Sequence, residues 1–124
     1  MSLPVHLVAT CAGAEGGAEL ATERRQRPKN DLSRQRAADH GFTIYPTITE
    51  ALRCGGNQLA VDAVVIVGEH GDYPRNHKGQ ILYPRFKFFQ EVVRVFEQDL
   101  RAVPVFNDRH LSYSWEKART MVAD

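Results

Sequence analysis

V-D-A-V-V-I-V-G-E-H-G-D-Y, running from Val61 to Tyr73, is the stretch on which the reading of this 124-residue chain turns. Ala63 to Val67 is a continuous apolar, mostly β-branched run without alternation, the pattern of a strand covered on both faces. It stops at Gly68, and Glu69, His70, Gly71 and Asp72 follow at once. A buried strand that ends in acid, imidazole and glycine has the layout of an α/β site, because ligands of such sheets bind outside the carboxyl ends of the strands. The stretch therefore marks a place for function before it marks a reaction.

Working outward, the length corresponds to one domain, large enough for a core but short for a complete dinucleotide-binding enzyme. Sixteen basic and fifteen acidic residues give a formal net charge of +1. Nothing global favours nucleic acid or an anionic membrane. No apolar stretch approaches the roughly 20 residues of a membrane span, and the N-terminal Met-Ser-Leu-Pro-Val-His does not read as a secretory signal. A cytoplasmic protein is the expectation. Cys11 and Cys54 form no metal-binding or redox spacing and are expected as reduced thiols, with a disulfide between them as the less favoured alternative.

Upstream, Val5 to Ala9 reads as a short strand. The following segment contains Gly13 and Gly16, spaced as the last two glycines of a phosphate-binding G-x-G-x-x-G turn, but Cys11 occupies the first position. A flexible loop is the preferred reading there. Ala18 to Arg27 is composed largely of helix formers and is expected as a helix. Asp31 or Asn30 can cap a helix from Leu32 to His40, closed by Gly41. Phe42 to Tyr45 reads as a short strand. Thr47 and Glu50 fit a capping box for a helix over Ile48 to Arg53.

Downstream, Tyr73 to Gln80 is rich in Pro, Asn, Gly and charge, and loops this long are often binding loops. Tyr73 and Arg75, with Asn107 further along the chain, are candidate ligand contacts, although aromatic anchors that pin a loop are the commoner reading of Tyr73 and Tyr83. Phe86 to Leu100 carries a helical apolar stripe with Pro84 in its first turn. Val103 to Phe106 reads as a strand whose Pro104 indicates a sheet edge or a strand start. Ser112 or Ser114 caps a final helix over Trp115 to Val122. Alternation of strands and helices implies an α/β fold, with a parallel sheet of about four or five strands flanked by helices.

Two strand ends collect the polar residues. The first brings Glu69, His70 and Asp72; the second brings Asn107, Asp108, Arg109 and His110. On neighbouring strands both sets emerge on one edge of the sheet. A carboxylate beside an imidazole can hold it as a general acid or base, and the same residue types can hold a divalent metal. Asp, Asn and His also serve at strand ends merely to cap turns.

From Asp31 to Asp124 the chain resembles the N-terminal, Rossmann-like domain of the glucose–fructose oxidoreductase/inositol dehydrogenase family. The resemblance rests on Asp31, His40-Gly41, Tyr45-Pro46-Thr47, Glu50-Ala51-Leu52 and Asp62-Ala63-Val64-Val65-Ile66. Val105 to Ser112 then stands where the family carries a Glu-Lys-Pro strand end. It implies an NAD(P) cofactor, with Gly13, Gly16 and Asp31 as candidate cofactor contacts. Arg109 stands in place of the family's lysine, Asp108 in place of the glutamate and His110 in place of the proline. Arginine stays protonated and cannot relay a proton at neutral pH, although it binds carboxylate or phosphate.

Three functions follow as expectations. One is an oxidoreductase relative that binds a nicotinamide nucleotide. Another is a small ester or lactone hydrolase, optionally metal-assisted, with His70 or His110 activating water and Arg109 holding developing charge. The third is a non-catalytic homodimeric module. A small-molecule ligand is the expected partner. In a Rossmann-type order the first strand is central, so either Val5 to Ala9 takes that place or a second copy completes the sheet.

Overall fold

The computed structural model describes residues 6–10, 17–21, 32–67 and 73–124. Its elements, in chain order, are β1 (His6–Thr10), β2 (Gly17–Ala21), α1 (Leu32–His40), β3 (Ile44–Tyr45), α2 (Ile48–Leu52), β4 (Ala63–Val67), α3 (Arg85–Asp99), β5 (Val105–Asn107) and α4 (Trp115–Ala123). The chain is thus a mixture of helix and strand, and β4 and β5 form a parallel pair.

The strands are hydrogen-bonded in the order β3-β2-β1-β4-β5. β2 pairs parallel with β3, but β1 runs antiparallel to both β2 and β4. The expectation of a parallel sheet is corrected at this strand. β1 does take the central place, in the opposite direction to that of a Rossmann-type first strand. Its connection explains the direction. Only residues 11–16 separate β1 from β2, and a parallel crossover needs roughly a dozen residues or more, whereas an antiparallel return needs few. The same pairing corrects the helix expected over Ala18 to Arg27: Gly17–Ala21 is strand, and residues 22–27 lie outside those described.

The helices start and stop by local chemistry. α1 ends where expected, with Gly41 at φ 72° donating its N–H to the Ala37 carbonyl at 2.9 Å. The Thr47 side chain caps α2 by accepting from the Glu50 N–H at 3.2 Å. Ser114 caps α4 by accepting from the Lys117 N–H at 3.4 Å. α3 ends at Leu100, which adopts a left-handed conformation at φ 52°.

The core lies between one face of β4 and the helices α2 and α3. Val64 and Ile66 point into it, beside Ile48, Ala51, Leu52, Leu59, Val61, Phe88, Val92 and Val95. Val64 and Ile66 are fully buried, whereas Ala63, Val65 and Val67 on the opposite face are half-buried. The uninterrupted apolar run therefore belongs to a strand buried completely on one face and partly on the other. Burying an aliphatic side chain of this kind contributes about 1.5–3 kcal/mol.

A two-toothed ion pair ties the helix ends together. Arg53, which follows α2, donates from Nε to Asp99 Oδ2 at 3.0 Å and from Nη2 to Asp99 Oδ1 at 2.6 Å. Those hydrogen bonds hold the Asp99 carboxyl below its ordinary range against the opposing effect of desolvation. Cys54, directly after this helix end, is disulfide-bonded. That corrects the expectation of a reduced thiol; Cys11 lies outside the described residues. Among the described residues no helix is long and apolar enough to cross a membrane.

Candidate functional site

The register of the parallel pair places the polar strand ends on one edge. Val64, Val65 and Ile66 of β4 stand beside Val105, Phe106 and Asn107 of β5. The Asp108 N–H continues the ladder by donating to the Ile66 carbonyl at 2.9 Å. Asn107, Asp108, Arg109 and His110 therefore leave β5 level with the end of β4. Glu69, His70 and Asp72, which follow β4 in sequence, lie outside the described residues, as do Gly13, Gly16 and Asp31.

The turn after β5 is built by its own side chains. Asn107 donates from Nδ2 to the carbonyls of Asp108 and His110, each at 3.3 Å. Arg109 sits at φ 66°, a left-handed conformation that a residue with a Cβ adopts at a cost of about 1–2 kcal/mol. Its guanidinium lies 3.9 Å from the Asp108 carboxylate at an exposed position. The turn thereby presents His110 to the loop that precedes α3.

That loop is an ordered hairpin. Arg75 and Ile81 form a β-bridge, and Leu82 donates its N–H to the Pro74 carbonyl at 2.9 Å. The Asn76 Oδ1 accepts from the N–H groups of Lys78 and Gln80 at 2.9 and 3.0 Å. Arg75, a candidate ligand contact, closes the hairpin by donating to the Gly79 carbonyl at 2.8 Å. Tyr73 is buried, with its ring centroid 5.4 Å from that of Tyr83. The two rings bring the two ends of the loop together.

His110 meets the loop and α3 at once. Its ring stands edge-on to Tyr83 with centroids 5.6 Å apart. The Arg85 Nη1 lies 2.8 Å from His110 Nε2 and 3.3 Å from Nδ1. Arginine has no acceptor, so Nη1 can only donate; it stands within reach of both ring nitrogens, and the contact assigns neither tautomer. The imidazole pKa is lowered from 6.5, first by desolvation and then by the charges of Arg85 and, more weakly, Arg109; a backbone hydrogen bond with Ser112 opposes them.

Arg85 was not a candidate from sequence, yet it is the most buried charged residue described, at 1% exposure. Its guanidinium carbon lies 4.4 Å above the Tyr83 ring. The signal was available in the spacing. Arg85, Phe88, Val92 and Val95 all lie on the buried side of α3, so a cation occupied a core register at the start of an apolar stripe. Two polar atoms here are buried without a hydrogen-bond partner among the described residues, Arg85 Nε and Asn107 Oδ1.

The arrangement holds a neutral imidazole at the surface against a buried guanidinium, beside an aromatic platform. Such a site can accept a proton from a hydroxyl or water and place positive charge close by. Among the described residues no cluster of three His, Cys, Asp or Glu forms that could hold a metal ion.

β1 decides where the glycine-containing segment begins. Thr10 pairs with Ala63 at the start of β4, whereas His6 pairs with Val67 at its end. The chain therefore leaves β1 toward Cys11 from the sheet edge opposite the one that carries His110. Comparison with known protein families, with characterised proteins and with solved structures finds no match.

Proposed function

We propose that this α/β domain binds and processes a small molecule at the carboxyl ends of β4 and β5, with His110 as the proton-accepting group. The observation that carries the reading is the contact between His110 Nε2 and Arg85 Nη1 at 2.8 Å, on the edge to which the strand ends lead. The chain's resemblance to the glucose–fructose oxidoreductase/inositol dehydrogenase family supports an oxidoreductase relative. In that role His110 would take the hydroxyl proton of an alcohol, and a nicotinamide nucleotide would supply the hydride acceptor. His110 supplies the base because Arg109, in the place of the family's lysine, stays protonated.

The direction of β1 favours a second reading, a small ester or lactone hydrolase that needs no nucleotide. A chain that departs toward Gly13 and Gly16 from the far edge of the sheet separates the start of that segment from the strand ends. Water that gives its proton to His110 then attacks the acyl carbon, with Arg109 near the developing charge; the bond to the alkoxy oxygen breaks and His110 returns the proton to the leaving alcohol. Isothermal titration with NAD(H) and NADP(H), followed by turnover assays on ester and lactone panels, separates the two. Saturable nucleotide binding supports the oxidoreductase relative; turnover without nucleotide that is lost in His110→Ala supports the hydrolase. Neither outcome, with His110→Ala folded and indistinguishable from the wild type, removes the role of His110.

A further inference from the structure

We propose that the Nε–Nη2 edge of Arg85 receives the oxyanion group, a carboxylate or a phosphate, of the small molecule that binds at the strand ends. The proposal rests on that location for the site and specifies the chemistry of its ligand. Arg85 is 1% exposed, and a buried cation is ordinarily paired with a carboxylate. Here its hydrogen bonds among the described residues run from Nη1 to a neutral imidazole, and its face rests on the Tyr83 ring. Neither partner carries a negative charge. Nε is buried with no partner among the described residues, so the side of the guanidinium that matches an oxyanion with two parallel N–H donors is unused.

The backbone adds to this preference. Arg85 opens the 15-residue helix α3, whose first turn contains no acidic residue and whose N-cap, Pro84, makes no side-chain hydrogen bond. Free N–H groups and the helix dipole favour an anion there. His110, exposed and in contact with Nη1, reports on any group that binds this guanidinium. Asn107, whose Nδ2 donates to the His110 carbonyl, keeps a buried Oδ1 without a partner among the described residues. The ligand class is a carboxylate or a phosphate, the oxyanions that two parallel guanidinium N–H donors match.

The test uses the full chain, with histidine ring nitrogens and arginine Nε–H groups followed by NMR. Inorganic phosphate and glycolate are titrated separately at constant ionic strength, with sodium chloride as the control and no nucleotide present. Saturable displacement of the His110 and Arg85 Nε signals by one anion is expected, and the responding anion identifies the group. Arg85→Lys keeps the charge but lacks the fork, and its affinity should fall roughly tenfold or more. The wild-type Arg85 Nε–H signal decides the matter should that variant fail to fold.

The proposal is overturned if neither anion acts beyond chloride, or if folded Arg85→Lys binds as well as the wild type. Displacement confined to His40 or His77 would overturn the strand-end location as well. Anion binding at Arg85 without nucleotide binding or turnover would leave this inference standing while removing the proposed reactions.

Discussion

At His110 the direction of titration follows from the groups that face the ring. Desolvation and the neighbouring guanidinium of Arg85 lower its pKa from 6.5, so the folded protein binds this proton more weakly than the unfolded chain. Above the unfolded value the residue contributes no pH dependence. As pH falls through 6.5 toward the lowered folded value, the unfolded chain takes up the proton first and stability is lost. Urea midpoints measured at about pH 7.5 and about pH 5 should therefore fall further for the wild type than for His110→Gln. An equal fall in both proteins would show that this ring does not titrate as its surroundings require. The exposure of His110 keeps the effect small, since solvent screens the nearby charges.

At the scale of elements, local chemistry was read well where it acts alone. Gly41 after His40, Thr47 three residues before Glu50 and Ser114 before Trp115 satisfy free backbone groups without help from distant residues. Gly17 to Ala21 was misread because Ala, Glu and Leu favour helix, whereas pairing with β1 on one side and β3 on the other holds them in a sheet. The end of α3 yields a prediction of the local kind. Leu100 is 93% exposed and left-handed at φ 52°, so it pays conformational strain with little packing in return. Leu100→Gly should raise stability by about 0.5–1 kcal/mol in chemical denaturation, because glycine adopts that conformation freely. A decrease would mean that the side chain makes contacts worth more than the strain. Deeper in the same layer, Leu52 is fully buried among α2, α3 and β4, and Leu52→Ala should cost about 2–5 kcal/mol in the same assay.

For the whole molecule, the decisive features come from partners far apart in sequence. Cys54 is disulfide-bonded, the less favoured of the two states open to the cysteines from sequence; bonding depends on which chain segments the fold brings within reach. Thiol titration of the native protein should find Cys54 unreactive, and reduction should lower stability by about 2–4 kcal/mol. Rapid labelling of Cys54 without reductant would show the bond to be absent. The exposed Phe106 (63%), on the terminal strand β5, and the exposed Trp115 on α4 belong to the same scale. The alternation of strands and helices in the sequence does not say what faces them.

The sequence by itself determined the caps of α1, α2 and α4 and the apolar identity of β4, since each follows from adjacent residues or from a repeat along the chain. Only the tertiary structure decided the direction of β1, the strand character of β2, the bond at Cys54 and the meeting of Arg85 with His110. Those depend on pairing and burial between residues that the chain separates: His110 and Arg85 are 25 positions apart. A lone cation at the head of an apolar stripe becomes a candidate ligand contact only once the fold buries it beside a neutral imidazole. Its chemistry was present in the sequence, but its neighbours were not.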